Sequence, residues 1–161
     1  MMMMFMMITN ILAVNMHTYY NGNYTVYPKD YNNSSTVTVQ LWGDNALSRG
    51  FFNTYGSAGG FIEAVVETNG NTTFNVRTGS LNNNKDRYYV LYDGFSSYVT
   101  TNEFQLEAGG GKWMQTVCES FGPCIVAFGG INVVSGNTNV TRNRNGTNRL
   151  NLNNGMVRFY Y

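Results

Sequence analysis

Short stretches in which apolar and polar residues alternate recur along this chain, and they limit its fold more than any other feature. In residues 36–42, Val37, Val39 and Leu41 fall on one side of the repeat, while threonine, glutamine and tryptophan fall on the other. A period of two is typical of a β-strand with one buried face. No window of a dozen residues keeps the 3.6-residue period of a helix. The chain is therefore predicted to be all-β.

Comparable patterns, separated by clusters of turn residues, predict about eight to ten antiparallel strands. The strongest hairpin signal is Asn69–Gly70, which lies between two of these patterns. Residues 136–154 are rich in asparagine and are interpreted as a long loop. Because the strands follow one another without a linker, residues 17–161 are predicted to form a single jelly-roll sandwich with long Asn/Gly-rich loops.

Charge is scarce in this sequence. Charged residues make up 12% of the chain and the net charge is +1, whereas a protein that neutralises many phosphates needs a basic surplus. Nucleic acid is therefore not an expected partner, and we interpret Arg142, Arg144 and Arg149 as parts of the solvated Asn-rich loop.

Aromatic residues reach 15%, and tyrosine is enriched in protein contact surfaces. This composition favours a protein that acts by binding other proteins.

The start of the chain is apolar but lacks the basic residues that open a signal peptide. Methionine side chains are flexible and fill irregular gaps in a neighbouring surface. We therefore predict that residues 1–16 form an arm that packs on another subunit or under the domain. Contact with a membrane is the competing hypothesis. The candidate assembly residues are Met1, Met2, Met3, Met4, Phe5, Met6, Met7 and Ile8.

Two cysteines, Cys118 and Cys124, flank a Gly-Pro turn signal. They can close a small disulfide loop across that turn, or they can be two free thiols. Their spacing does not match a zinc site. The sequence leaves the disulfide and the free thiols as open alternatives.

Catalysis has few candidates. The one histidine, His17, has no evident nucleophile beside it and is interpreted as structural. Glu63 and Glu67, like Glu103 and Glu107, occupy alternate positions of strand patterns. Such carboxylates occur in glycosidases and calcium sites, but alternation also predicts the solvent face of a sheet, which we favour. We expect no enzyme activity, no cofactor and no metal.

Six Asn-x-Ser/Thr sequences can accept N-linked glycans if the chain enters the secretory path. They begin at Asn23, Asn32, Asn33, Asn71, Asn139 and Asn145.

Four stretches of the sequence, in their order along the chain, resemble a glycine-rich β domain. "NYTVYPKDYNNSSTVTVQLWGDN" resembles its first strand, which ends at a proline, and the next strand, which closes on Leu-Trp-Gly. "GSAGGFIEAVVETNGNTTFNVRTG" resembles its unit of two glycines, strand, turn and strand. "FQLEAGGGK" resembles a strand running into a glycine cluster, and "NNGMVRFYY" resembles the closing strand. The similarity covers residues 17–161.

The family occurs in structural and surface proteins of large icosahedral DNA viruses, in phage tail fibres and in extracellular adhesion modules. The resemblance implies a structural virion protein, either a penton at the five-fold vertex or a minor capsid protein. It would be assembled in the host cytoplasm with other capsid proteins or into a ring of its own, possibly a pentamer. A fibre-tip or adhesin module that binds a glycan or receptor is the alternative. "GDNALSRGFF" stands where the family has a string of glycines, and this departure predicts an ordinary packed jelly roll.

Overall fold

The computed structural model describes residues 14–49, 57–79, 90–118, 122–146 and 155–161. Within these ranges the chain is all-β, with a single turn of 3-10 helix at Pro28–Tyr31. Ten strands form two five-stranded antiparallel sheets, and four shorter or peripheral strands form two separate pairs.

The front sheet has the strand order β1-β14-β3-β5-β13, and the back sheet has the order β12-β9-β8-β6-β2. The front sheet consists of β1 (Met16–Tyr20), β3 (Thr36–Trp42), β5 (Phe61–Glu67), β13 (Asn139–Arg144) and β14 (Met156–Tyr160). The back sheet consists of β2 (Asn23–Val26), β6 (Phe74–Arg77), β8 (Ser97–Thr100), β9 (Phe104–Ala108) and β12 (Val133–Gly136). The pairs are β4 (Leu47–Arg49) with β7 (Val90–Tyr92), and β10 (Lys112–Cys118) with β11 (Gly122–Phe128).

The two large sheets face each other across one hydrophobic core, which makes the fold a β-sandwich. Val37, Val39 and Leu41 of β3 are fully buried in it, as their alternation predicted. Phe159 of the front sheet meets Phe74 of the back sheet edge to face, with 5.1 Å between ring centroids. Burial of these apolar faces is the main force that holds the sheets together.

The hairpin predicted at Asn69–Gly70 is wrong. Both residues have positive φ, and the Asn71 N–H donates to the Thr68 carbonyl oxygen over 3.1 Å, so a tight turn does form. However, β5 before the turn belongs to the front sheet and β6 after it belongs to the back sheet. The turn therefore carries the chain across the sandwich, because both flanking strands find better partners elsewhere in their own sheets.

The Asn-rich loop predicted at 136–154 is also wrong in part. Residues 139–144 form β13, which pairs with β5 at the edge of the front sheet. Arg142 and Arg144 therefore lie on a strand, while Arg149 lies outside the described residues. The sequence did not predict this strand because its residues are mostly polar. They can be polar because the strand contributes little to the core, and burial is low along its whole length.

Candidate functional surfaces

One end of the sandwich is closed by glycine-rich segments that cross between the strands. Five of them hydrogen-bond to one another through their main chains: residues 43–46, 57–60, 93–96, 109–111 and 129–132. Gly60 N–H donates to the Gly109 carbonyl over 2.7 Å, and Gly94 N–H donates to the Gly111 carbonyl over 2.7 Å. Gly111 N–H donates in turn to the Asp44 carbonyl over 2.9 Å. We call these segments the glycine layer.

The segments of the glycine layer lie too close together for side chains. A Cβ added at Gly43 would lie 2.1 Å from the Gly109 carbonyl oxygen, and one at Gly130 would lie 1.9 Å from the same atom. The missing glycine string after Trp42 predicted an ordinary packed jelly roll. At this end of the sandwich, single, paired and triple glycines from separate strand ends come together in space.

Asp44 lies inside the glycine layer with its side chain fully buried. Neither carboxylate oxygen has a hydrogen-bond partner of normal geometry within the described part of the chain. Burial raises the pKa of Asp44 from its ordinary 3.8 to about 7, and the nearby backbone N–H groups of Asn45 and Phe95 offset only part of this effect. Asp44 is the most perturbed carboxyl among those described, and nothing in the sequence pattern singled it out.

The glycine layer is also where four connections leave the sandwich. They join β3 to β5, β6 to β8, β9 to β12 and β13 to β14. The β4–β7 and β10–β11 pairs belong to these connections, and the Asp93 carboxylate joins the two pairs by accepting the Trp113 N–H over 2.8 Å. We call this end the tip.

One side of the sandwich exposes aromatic and other large apolar residues. The edge strands β1 and β2 adjoin there, with the rings of Tyr19 and Tyr24 only 5.0 Å apart between centroids. Met16 is 55% exposed. We call this side the aromatic edge, and its exposed apolar residues are Val14, Met16, Tyr20, Tyr24 and Tyr27.

The opposite side carries the edge strands β12 and β13, which differ in chemistry. Val133 and Val134 of β12 are exposed, together with Ile131 just before it. We call these three residues the aliphatic edge. By contrast, β13 bears Arg142 and Arg144 and has a register shift between Val140 and Arg142. Charges and bulges are the usual means by which edge strands avoid pairing with another chain. Neither β1 nor β12 contains a charged residue or a proline.

Glu63, Glu67 and Glu107 lie on the outer faces of the sheets, as predicted, whereas Glu103 lies just before β9 and not on a strand. Glu63 is held by its neighbours. Gln40 Nε2 donates to its Oε2 over 2.6 Å, and the Thr141 hydroxyl donates to its Oε1 over 2.9 Å. The Arg142 Nε lies 3.6 Å from Oε1. These contacts, led by Gln40, hold the pKa of Glu63 below its ordinary value despite partial burial. Glu63 is therefore part of a cross-strand network, and Glu67 and Glu103 are exposed to solvent.

His17 lies on β1 at the aromatic edge, exposed, with its ring 4.5 Å from that of Tyr19. Cys118 ends β10 and Cys124 lies in β11, opposite Thr116 in the strand register, and Gly122 and Pro123 are part of β11. The side chains of both cysteines lie outside the described part of the chain, so the disulfide and the two free thiols stay open alternatives. The arm residues 1–13 also lie outside it, and Met16 begins β1.

The six asparagines of the predicted glycosylation sequences are all exposed. Within the described ranges, no cluster of three or more His, Cys, Asp or Glu side chains is arranged to hold a metal ion. The same ranges contain no helix with the length and apolar character needed to cross a membrane.

The back sheet carries an open cleft on its outer face. It has a volume of about 380 Å³ and is lined by β2, β6, β8 and β9. Tyr98 lies in it, with its hydroxyl donating to Glu107 Oε1 over 3.1 Å and the Arg77 guanidinium 5.9 Å from its ring centroid. We call it the Tyr98 cleft.

Comparison with known proteins finds no matching family model, no matching curated protein and no matching solved structure.

Proposed function

We propose that this chain is a structural virion protein of a large DNA virus, a penton or minor capsid protein that acts by assembly with itself and with other capsid proteins. The observation that carries the proposal is the pair of unguarded apolar edges on opposite sides of one sandwich. The low charge of the chain and the resemblance of four stretches to a glycine-rich β domain support it. The arm residues Met1–Ile8 would add a second contact to a neighbour.

A contact between the aromatic edge of one copy and the aliphatic edge of the next uses two different patches. Contacts of this head-to-tail kind close into rings when the rotation between copies allows it. Edge strands offer unpaired N–H and C=O groups, so β1 and β12 supply main-chain hydrogen bonds as well as apolar area. A five-fold ring at a capsid vertex would satisfy both edges of every copy.

We further propose that the sandwich is a variant of the jelly roll. The chain crosses between facing sheets at β1–β2, β2–β3, β5–β6 and β12–β13. Such crossings support this assignment, because a jelly roll is wound from antiparallel strands that alternate between two sheets.

The head-to-tail contact is tested by blocking each edge separately. Met16→Lys blocks the aromatic edge, Val134→Lys blocks the aliphatic edge, and Thr36→Lys places the same charge at an exposed position of the central strand β3. We expect the wild-type chain and Thr36→Lys to form oligomers by light scattering, and each edge variant to be monomeric. Circular dichroism and thermal melting would establish that all variants fold.

Mixing the two edge variants gives the decisive result. Each still has one intact edge, and the two intact edges are complementary, so the mixture should form one-to-one dimers that grow no further. A mixture that stays monomeric, or one edge variant that assembles alone, would contradict the head-to-tail contact.

For the virion role, we expect a few copies of this chain per purified particle, located at the vertices. Abundance at the level of the main shell protein, or absence, would contradict it.

A receptor-binding module of the fibre-tip or adhesin type is the second candidate. The observation that favours it is the tip, where four connections start from one hydrogen-bonded glycine layer. Binding residues are commonly carried on loops that a rigid scaffold positions. Secretion of the full chain from host cells tests this: glycans on the sequon asparagines and loss of the methionine-rich start, measured by intact mass, would favour it. An unmodified intracellular chain would count against it.

A further inference from the structure

The Tyr98 cleft has the side-chain chemistry of a sugar-binding surface. Besides Tyr98 and the partly exposed ring of Tyr24, its lining includes six polar residues from four adjacent strands of the back sheet. They are Asn23, Thr25, Asn75, Arg77, Thr100 and Gln105. Aromatic side chains with polar groups placed around them are features that ligand sites share.

Three of these residues carry free amides. The side chains of Asn23, Asn75 and Gln105 are exposed, and none of them makes a side-chain hydrogen bond to the described part of the chain. Each amide offers two donors and one acceptor. Sugar hydroxyls both donate and accept hydrogen bonds, so they match amides better than phosphate or carboxylate ligands do.

The aromatic ring is held in place from two sides. Its hydroxyl donates to Glu107, and the Arg77 guanidinium lies near its face, so the ring is oriented before any ligand arrives. An oriented ring loses little conformational freedom on binding. The positive charge of Arg77 is accompanied by the negative charge of Glu107, which leaves the cleft without a strong preference for a charged ligand.

We propose that the Tyr98 cleft binds a neutral oligosaccharide, whose apolar ring face packs on Tyr98 and whose hydroxyls bind the amides of Asn75 and Gln105. This inference does not depend on assembly into a capsid. Most of the cleft lies on the outer face of β6, β8 and β9, and it meets the aromatic edge at Tyr24 of β2.

The front sheet supplies a matched control. Tyr160 lies on its outer face and also has an arginine beside it, with Arg158 Nη1 donating to the Tyr160 hydroxyl over 3.3 Å. Asn75 and Gln105 both face Thr100, two residues from Tyr98, and neither amide is bonded to the described part of the chain. The amide in the corresponding place near Tyr160 is that of Gln40, which faces Arg158 and is bonded to Glu63. A tyrosine is thus present on both outer faces, but only Tyr98 has unbonded amides at these diagonal positions.

The test is a titration of the full-length chain with neutral oligosaccharides, namely lactose, mannotriose and cellotetraose, followed by calorimetry and by amide chemical shifts. We expect at least one of them to bind, with shifts confined to β2, β6, β8 and β9. Tyr98→Ala should weaken binding by about tenfold or more, and Gln105→Ala by several-fold. Tyr160→Ala should bind as the wild type does.

No binding of any neutral sugar at tens of millimolar would overturn the proposal, and so would binding that Tyr98→Ala leaves unchanged. Sialyllactose and sulfated lactose form a separate arm of the titration. Binding of these anionic sugars alone, lost in Arg77→Ala, would also overturn it, because the cleft would then recognise charge. Light scattering on the same samples reports assembly independently, so failure of one proposal is distinguishable from failure of the other.

Discussion

At the scale of single residues, Asp44 is the position where burial and charge conflict most directly. An unpaired carboxylate in a protein interior is costly, and the group responds by keeping its proton to a higher pH. The backbone N–H groups of Asn45 and Phe95 lie near it, but neither carboxylate oxygen has a hydrogen bond of normal geometry within the described residues.

Replacing Asp44 by asparagine should therefore change the pH dependence of stability. The folded-state pKa of about 7 exceeds the ordinary 3.8, so the folded protein binds the proton more tightly than the unfolded chain. The favourable contribution is complete below the ordinary pKa and is lost as the pH rises through 7. We expect Asp44→Asn to raise the free energy of unfolding at pH 8.5 by roughly 1–3 kcal/mol and to have little effect near pH 4.

Urea denaturation at a series of pH values measures this difference. Asp93→Asn is the control, since Asp93 is exposed and accepts the Trp113 N–H. It should not stabilise the protein at high pH. Equal effects of the two substitutions would show that Asp44 is not the group responsible.

Gly43 shows that the glycine layer depends on the absence of a side chain. A methyl group there would meet three backbone atoms within 2.8 Å, and backbone atoms cannot move aside as a flexible side chain can. We expect Gly43→Ala to lower the free energy of unfolding by roughly 2–3 kcal/mol or more. At Gly22 the nearest atom is the Tyr24 hydroxyl at 3.3 Å, so Gly22→Ala should cost less than about 1 kcal/mol. Thermal melting of the two variants compares them directly.

At the scale of elements, alternation and turn chemistry differ in what they could predict. The buried face of β3 followed from its own residues, because a period of two fixes which side chains point inward once one face is buried. The Asn69–Gly70 turn also formed, yet the partners of β5 and β6 lie far away in the sequence. Local turn chemistry does not specify which sheet a strand joins, and β13 was missed because an edge strand needs few apolar residues.

The link between β13 and β5 depends on Glu63. Because its folded-state pKa is lowered, the ionised form stabilises the folded state above the ordinary pKa of 4.5, and this contribution is lost as the pH falls. We expect Glu63→Gln to lower the free energy of unfolding at pH 7 by about 1 kcal/mol and to be nearly neutral at pH 3. Denaturant titrations at both pH values test this.

Arg142→Ala is the companion measurement for that network. The Arg142 side chain is 60% exposed and its Nε lies 3.6 Å from Glu63, so its loss should have a smaller effect than Glu63→Gln. A larger effect of Arg142→Ala would show that the ion pair, rather than the hydrogen bonds from Gln40 and Thr141, stabilises the edge.

At the scale of the whole molecule, the all-β class was accessible from the sequence, and the architecture of the tip end was not. Gly43, Gly60, Gly94 and the glycines at 109–111 come from four separate parts of the chain and carry no periodicity. They come together only because the strands that carry them end at the same level of the sandwich. For the same reason the cleft around Tyr98 could not be read from the sequence, since its residues come from four separate strands.

Hydrogen exchange tests whether the glycine layer is as ordered as the sheets. The amides of Gly60, Gly94 and Gly111 lie outside the strands, yet each donates to a main-chain carbonyl over 2.7–2.9 Å. We expect their protons to exchange as slowly as those of β3 and β5, because they open only with the sandwich. Exchange at the rate of exposed turns such as Asn32–Asn33 would contradict this.

The tip connections are attached to the sandwich by main-chain hydrogen bonds in the glycine layer, whatever residues the connections themselves contain. Each connection is fastened through peptide groups, which every amino acid has, so its own composition can drift without loosening the attachment. Relatives of this chain, once aligned, should accordingly differ greatly in length and residue type beyond the layer while keeping the small residues that form it. Grafting a foreign loop between Gly79 and Asp93, which leaves residues 93–96 of the layer in place, should be tolerated for the same reason.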